Sequence, residues 1–176
     1  RREAIRLYNA HSPILKKGLA LTPVKFGISF TASFLNQAGA LIHIYTDGSI
    51  HLNHGGTEMG QGLNIKVAQV VAEVFQVEID RVQITATNTD KVPNTSPTAA
   101  SSGADLNGKA AQNAAETIKQ RLVEFAARKY DVSEADVEFH NGHVRVRDQI
   151  LTFEALIQQA YFAQVSLSSS GFYKTP

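Results

Sequence analysis

The spacing of apolar and polar residues along the chain predicts short strands alternating with helices. Residues 40–46 and 49–54 are rich in apolar side chains. The Asp47-Gly48 pair between them is a strong signal for a two-residue hairpin turn. We therefore predict a β-hairpin over residues 38–54. An earlier run, residues 25–32, is rich in Phe, Ile and Ser and is also predicted to be extended.

A helical period replaces this alternation in two later stretches. From Gly62 to Phe75, apolar residues recur every three or four positions, which predicts an amphipathic helix. Residues 81–87 alternate again and predict a half-buried strand. A longer helix is predicted from about Gly103 to Lys129. Its expected buried stripe consists of Leu106, Ala110, Ala114, Ile118, Leu122 and Ala126.

The last third of the chain is predicted to consist of short elements. Ser133 and Asp136 form a predicted helix cap, and residues 137–139 pair with 144–146 in a hairpin that turns at Asn141-Gly142. A helix over 153–162, capped by Thr152, and a strand over 165–170 follow. This order of elements predicts an α+β fold in which mixed and antiparallel sheets are covered by helices.

Composition narrows the class of protein. Hydrophobic residues make up 43% and charged residues 19%, as in a globular domain, and the net charge of +1 gives no sign of nucleic-acid binding. The chain shows neither a membrane-length apolar run nor a signal peptide, so we expect a cytoplasmic protein. The absence of cysteine excludes disulfides, thiolate zinc sites and iron–sulfur clusters bound by this segment.

The two ends predict that the chain is an internal fragment of a larger subunit. The sequence begins without Met, in a charged stretch over residues 1–6 that is typical of the end of a helix. We expect residues 1–20 to be a helix tail and linker, and residues 21–176 to be part of a domain.

The sharpest chemical feature is a glycine-rich run between a strand and a helix. Residues 54–62, His-Gly-Gly-Thr-Glu-Met-Gly-Gln-Gly, contain four glycines, which let a ligand approach the backbone closely. The N–H groups at the start of the following helix favour an anion, and the Gln61 amide could recognise the edge of a heterocycle. A P-loop would need Lys at position 61, and the dinucleotide fingerprint would need Gly at position 65, which is Ile65. The alternative is a tight connector with no ligand.

A second loop, over residues 88–102, also leads into a helix and carries many Ser and Thr hydroxyls. By itself it could be a surface loop whose hydroxyls cap the helix. Together, the two loops would suit one elongated phosphorylated ligand lying across both helix starts. His51 and His54 are expected on opposite faces of a strand, which argues against a metal pair. The chain carries no complete catalytic set of residues.

Several strings, in their order along the chain, resemble xanthine dehydrogenases and oxidases. They are Phe26 to Thr31, Phe34 to His43, His54 to Leu63, Val92 to Ser101, and Val165 to Ser168 followed by Gly171 to Tyr173. Aldehyde oxidases share the Met59 to Gly62 core but usually lack the Phe26 to Thr31 string. The resemblance therefore favours the purine-oxidising branch, and implies part of the molybdopterin-binding domain of a molybdenum hydroxylase.

The resemblance assigns five positions to the molybdenum cofactor. Met59, Gly60 and Gln61 match residues that contact the pterin. Ala100 matches the small residue beside the molybdenum and offers no side-chain ligand to the metal. Ser101 belongs to the loop that meets the pterin and phosphate end of the cofactor.

The implied activity is the oxidation of hypoxanthine or xanthine to urate. A purine carbon gains oxygen derived from water, and electrons pass through 2Fe-2S clusters and FAD to NAD. Phe30 matches an aromatic residue that packs against the substrate ring, and Thr31 matches a hydroxyl of the substrate pocket. An apolar face beside a hydroxyl suits a flat purine with polar edges.

The resemblance also implies what this chain lacks. The family's Gly-Gly-Gln loop, its arginine-bearing substrate loop and its catalytic glutamate lie outside residues 1–176. We therefore expect the chain alone to be inactive, and to pack against other lobes of a large subunit and an FAD and iron–sulfur subunit or domains, in an oligomeric enzyme. Two alternatives stay open: an aldehyde or other N-heterocycle hydroxylase of the same fold, and a non-catalytic structural or assembly domain.

Overall fold

The computed structural model describes residues 1–24, 30–85, 87–88, 90–92 and 94–176. Its helices and strands are α1 (Arg2–His11), β1 (Gln37–Ile44), β2 (Ile50–His54), α2 (Leu63–Phe75), β3 (Val82–Ile84), α3 (Gly103–Tyr130), β4 (Val137–His140), β5 (His143–Val146), β6 (Gln149–Thr152), α4 (Phe153–Phe162) and β7 (Ser168–Lys174). The predicted α+β class is confirmed. Most of the extended run predicted over 25–32 lies outside the described residues.

The larger sheet has four strands in the order β3-β2-β1-β7. The predicted hairpin is confirmed, because β1 and β2 pair antiparallel across the Asp47-Gly48 turn. Strand β3 pairs parallel to β2, and α2 forms the crossover between them. The pairs Ala40–His54 and Gln37–Lys174 bring the start of β1 and the ends of β2 and β7 to one end of the sheet. We call this the site end of the sheet.

Helices α2 and α3 bury one face of this sheet. All six residues of the predicted α3 stripe are buried, and so are the alternating residues Ile42, Ile44, Ile50 and Leu52 of the hairpin. Strand β7 lies so close to α3 that a Cβ added at Gly171 would be 2.0 Å from the Ala110 carbonyl oxygen. Small residues on α3 and a glycine on β7 are therefore what allow the helix to pack on this strand.

A second, three-stranded sheet continues the same core. Strands β4, β5 and β6 form an antiparallel meander that packs with α4. The ring centroid of Phe153 on α4 lies 5.8 Å from that of Phe75 on α2 and 6.4 Å from that of Phe139 on β4. These aromatic contacts join the two sheets into one contiguous apolar cluster. The predicted cap is also confirmed, since the Thr152 hydroxyl accepts the Ala155 N–H at 3.2 Å.

Three boundaries differ from the sequence predictions. Strand β6 was not predicted, because its exposed residues show no alternation and its turn is made by Arg147 at a φ of 52° instead of by glycine. Strand β7 begins three residues later than predicted and extends to Lys174, since a serine-rich strand owes its conformation to pairing with β1. Strand β3 is only three residues long.

The first 24 residues stand apart from this core. Helix α1 has no buried residue, and apolar side chains that follow it, such as Leu21 and Val24, are exposed. None of the helices in the described parts of the chain is both long and apolar enough to cross a membrane.

Candidate functional site

Two loops meet at the site end of the sheet. The glycine loop, residues 55–62, joins β2 to α2, and the hydroxyl loop, residues 94–102, leads into α3. The Thr57 N–H donates to the Thr98 hydroxyl oxygen at 2.8 Å, which ties one loop to the other. A Cβ added at Gly55 would lie 1.9 Å from Oγ1 of Thr95. The predicted convergence of the two loops is therefore confirmed, and glycine at position 55 is required by the close approach.

A cleft of about 400 Å³ lies between the two loops and the first turns of α2 and α3. This volume falls within the ordinary range of small-molecule sites, which is about 300–1,000 Å³. Its walls are formed by Met59, Gln61, Leu63, Lys66, Thr98, Ala99, Ser101, Ser102, Gly103 and Ala104. Three of the residues matched to cofactor contacts, Met59, Gln61 and Ser101, thus share one cleft.

The N-terminus of α2 already holds an anion that belongs to the protein. The Glu58 carboxylate accepts the N–H groups of Gly60 at 2.9 Å, Gly62 at 3.0 Å and Asn64 at 2.9 Å. These hydrogen bonds hold the pKa of the Glu58 carboxyl below its ordinary value, and the bond from the Asn64 N–H has the largest effect. The expectation that this helix start is open to an external anion is therefore wrong, because Glu58 occupies it.

The Gln61 side chain closes the glycine loop on itself. Its amide nitrogen donates to the Thr57 carbonyl at 2.9 Å, and its amide oxygen accepts the Met59 N–H at 2.6 Å. In this conformation the amide nitrogen and oxygen of Gln61 both bond within the loop, so they are not free to recognise the edge of a heterocycle. Met59 is two-thirds exposed, and beyond the two chain neighbours of Gly60 no described residue has a heavy atom within 4 Å of its Cβ position. The loop therefore presents an open surface around Gly60.

The hydroxyl loop ends in an unusual backbone. Ala100 and Ser101 are consecutive non-glycine residues in the left-handed region, with φ of 55° and 52°. Such a conformation costs an alanine or serine about 1–2 kcal/mol. Neither residue type is the glycine or asparagine that normally signals positive φ, so the sequence contained no indication of this strain.

The first turn of α3, unlike that of α2, is not capped by a side chain of the described residues. The Ser102 hydroxyl donates to the Ala99 carbonyl at 2.8 Å and makes no cap to the helix. Within the described part of the chain, no acceptor takes the N–H groups of Gly103, Ala104 or Asp105. Unpaired N–H groups and the positive end of the helix dipole favour a bound anion here.

Two buried polar side chains, His54 and Asn107, lie next to the glycine loop. The Nδ1 atom of His54 accepts the Gly56 N–H at 3.1 Å, and burial lowers the pKa of this histidine. The Asn64 side chain and the Glu58 charge oppose that shift. Nε2 of His54 makes no hydrogen bond to any residue that the structure describes. Asn107 donates to the Gly103 carbonyl at 2.8 Å, and its buried Oδ1 is unpaired among the described residues.

The two residues matched to substrate contacts lie at the same end of the sheet but do not line the cleft. The Asn36 side chain accepts the N–H of Phe30 at 2.8 Å and donates to its carbonyl at 3.0 Å. The next residue, Gln37, accepts the Ser96 hydroxyl through its carbonyl at 3.2 Å. This chain of contacts connects half-buried Phe30, and exposed Thr31 beside it, to the hydroxyl loop.

Sequence reasoning overlooked three residues of the site. No role was predicted for Glu58, although an acidic residue close to a helix start is a recognised signal. Lys66 lines the cleft one turn into α2 and donates to the Gln61 carbonyl at 3.1 Å. The contact of Thr98 with Thr57 spans 41 residues of sequence, and local patterns cannot reveal a contact at that distance.

The fold and the two-loop site define the class of molecule. A solved structure described as reconstituted CO dehydrogenase from Oligotropha carboxidovorans matches 79% of this chain and 18% of its own, with a TM-score of 0.72 and 27% identity. The arrangement of sheets and helices is thus that found in part of the molybdopterin-binding domain of molybdenum hydroxylases.

The family follows from the sequence comparisons. Residues 1–176 match the family model described as molybdopterin cofactor-binding domain, and the chain belongs to that family. It is 46% identical to xanthine dehydrogenase/oxidase of Mus musculus over 176 residues, which is all of this chain and 12% of the relative. It is also 46% identical to xanthine dehydrogenase of Blastobotrys adeninivorans over 175 residues, 99% of this chain and 11% of the relative. The resemblance to xanthine dehydrogenases is confirmed, and the chain spans about an eighth of these relatives' length.

Proposed function

We propose that this chain is the cofactor- and substrate-binding segment of a molybdenum hydroxylase that oxidises hypoxanthine and xanthine to urate. The observation that carries the proposal is the single cleft shared by the glycine loop and the hydroxyl loop. Because the chain is a small part of its relatives, the activity belongs to a larger protein. In that protein, water supplies the oxygen, and electrons pass through 2Fe-2S and FAD centres to NAD.

The cleft suits the polarity of a molybdopterin. One end, at the start of α3, carries unpaired N–H groups and the positive end of the helix dipole, and Lys66 adds a cationic side chain to the wall. The other end is formed by the open surface around Met59 and Gly60. The negative Glu58 carboxylate lies in the start of α2 and disfavours a second anion there. We therefore propose that the phosphate end of the cofactor lies at the start of α3 and the pterin end at the glycine loop.

Five residues would hold this cofactor. Met59, Gly60 and Gln61 contact the pterin, Ser101 meets the pterin and phosphate end, and Ala100 leaves room beside the molybdenum. The strained backbone at Ala100 and Ser101 supports this assignment, because strain of this kind is concentrated at ligand sites. When bound, the cofactor supplies the oxidation–reduction chemistry, and this chain holds and orients it.

Phe30 and Thr31 are proposed to contact the purine. Asn36 fixes both backbone polar groups of Phe30, which presets the position of its ring for packing against a flat heterocycle. The catalytic residues lie outside this chain. We further propose that residues 1–20 are a helix tail and linker and that residues 21–176 are part of the domain. The remaining lobes and the FAD and iron–sulfur centres complete a cytoplasmic oligomer, and the isolated chain is inactive.

The test uses the full-length protein that carries this segment. Expressed with an adequate supply of molybdenum cofactor, it should contain molybdenum and pterin in proportion to polypeptide and should oxidise xanthine. Purified protein with a full complement of FAD but no molybdenum would refute the proposal. Gln61→Ala should lower the cofactor content, whereas an unchanged content and activity would favour the non-catalytic structural domain.

A second candidate is an aldehyde or other N-heterocycle hydroxylase. It is favoured by the likeness to CO dehydrogenase, since that enzyme's name shows that the fold serves other substrates. Comparing xanthine with an aromatic aldehyde separates the two. Phe30→Ala should lower kcat/KM for xanthine about two- to tenfold if Phe30 packs on the purine, because the loss of one aromatic contact costs about 0.5–1.5 kcal/mol. A faster turnover of the aldehyde by the wild type would support the second candidate.

A further inference from the structure

Hydrogen bonds, and not side-chain packing, determine the shape of the second half of the glycine loop, residues 58–62. Gly60 and Gly62 have φ of 94° and 76°, conformations that other residues rarely adopt. Apart from its two chain neighbours, no described residue has a heavy atom within 4 Å of the Cβ position at Gly60, and at Gly62 the nearest such atom is Cγ2 of Ile65 at 3.6 Å. The apolar core therefore does not hold this turn in place from either side.

The Glu58 carboxylate supplies the missing restraint. One oxygen, Oε1, accepts the N–H groups of both Gly60 and Gly62, and the other, Oε2, accepts the N–H of Asn64 in the first turn of α2. A single side chain thus spans the turn and anchors it to the helix. The Met59 and Gln61 side chains, which line the cleft, lie on either side of the glycine that Glu58 holds.

A neutral or shorter side chain could not make the same set of bonds. A carboxylate has two oxygens that only accept, and its charge strengthens hydrogen bonds from backbone N–H groups. Glutamine at this position would keep one acceptor and place a donor against another donor. The depressed pKa of Glu58 agrees with a carboxylate that stays ionised in the folded protein.

We propose that Glu58 is a positioning residue for cofactor retention, the internal anion that keeps the glycine loop in the shape that Met59 and Gln61 need to contact the pterin. This inference rests on the proposed function, because it concerns the same cleft. It assigns a role to a residue that does not itself touch the cofactor. A purely structural glutamate would stabilise α2 without any selective effect on the cofactor.

The experiment compares Glu58→Gln with Glu78→Gln in the full-length protein. Glu78 is an exposed glutamate just beyond α2, and its carboxylate makes no hydrogen bond within the described residues, so the same substitution serves as a matched control. Molybdenum and pterin are measured per polypeptide, together with their rate of release on dilution. Glu58→Gln should show at least a threefold lower content or a threefold faster release. Glu78→Gln should match the wild type, and Glu58→Asp, which restores the charge, should recover part of the loss.

Two outcomes would overturn the inference. One is a Glu58→Gln protein with wild-type cofactor content and release. The other is a loss shared equally by Glu78→Gln. Wild-type protein that lacks molybdenum would instead refute the proposed function, so the two failures are distinguishable.

A second measurement applies if Glu58→Gln does not fold. In the wild-type protein, hydrogen exchange at the amides of Gly60, Gly62 and Asn64 should be slowed at least tenfold relative to an unstructured peptide, because all three donate to Glu58. Exchange of the two glycine amides at the rate of an unstructured peptide would show that the carboxylate does not hold the loop, and would overturn the inference.

Discussion

Substituting Gly55 by alanine would place a methyl group inside the contact between the glycine loop and the hydroxyl loop. The added Cβ would lie 1.9 Å from Oγ1, 2.1 Å from Cγ2 and 2.4 Å from Cβ of Thr95. Carbon atoms in ordinary contact are separated by about 3.5–4.0 Å. The loops must therefore move apart by more than about 1 Å, or Thr95 must leave its place.

The loss of stability in Gly55→Ala can be estimated from the burial of this position. Gly55 is buried, and forcing an extra methyl group into a packed site costs about 1–3 kcal/mol. We expect Gly55→Ala to lower the free energy of unfolding by about 2 kcal/mol, which corresponds to about 4–8 °C in Tm for a chain of this size. Thr95→Gly alone should cost about 0.5–1 kcal/mol through added backbone freedom.

The double variant makes the test specific. Thr95→Gly removes all three atoms that the new methyl group would meet, so the double variant should be more stable than the sum of the single effects predicts. The coupling free energy should be at least about 1 kcal/mol, and urea unfolding of the four proteins followed by circular dichroism measures it. Strictly additive effects would mean that the two loops do not touch at this point, and would refute the convergence on which the site depends.

Two further predictions concern the packing and the charge state beneath the site. Gly171→Ala on β7 should lower the unfolding free energy by about 3 kcal/mol, because its Cβ would lie 2.0 Å from the Ala110 carbonyl oxygen on α3. Gly108→Ala on α3 is the control: its Cβ would meet nothing closer than 3.6 Å among the described residues, so it should be neutral or stabilising. Equal effects of the two substitutions would contradict the close packing of β7 on α3. Burial holds the folded-state pKa of His54 below 6.5, so the unfolded chain binds more protons below that pH and stability falls as the pH drops through 6.5. His54→Gln should flatten the pH dependence of the unfolding free energy between about pH 7 and about pH 5, and an unchanged slope would show that His54 is not its source.

The elements that could be predicted from sequence were those whose signal is local. The Asp47-Gly48 turn and the apolar stripe of α3 determine their structures from within a few residues, and both were found where predicted. Strand β7 was misplaced because Ser168 to Gly171 carry no apolar alternation, and only pairing with β1 makes them a strand. Strand β6 was missed for a similar reason, since its turn is made by Arg147 instead of glycine.

For the site too, local features could be predicted from sequence and features that depend on distant contacts could not. The glycine-rich composition of residues 55–62 indicated a backbone cradle, and the structure brings that cradle against the hydroxyl loop. Its electrostatics were mispredicted at α2, because helix-dipole reasoning identifies a place for an anion but not whether the protein's own Glu58 fills it. The strain at Ala100 and Ser101 depends on how the loop closes onto α3, which no pattern of residue types records.

The most direct test of the account is the position of molybdenum in a crystal of the full-length protein, located from anomalous scattering at the molybdenum absorption edge. We predict a single molybdenum peak beside Ala100, with the pterin lying along Met59 and Gln61 and the phosphate at the start of α3. The account would be contradicted if molybdenum were found away from Ala100 and the pterin contacted neither the glycine loop nor the hydroxyl loop.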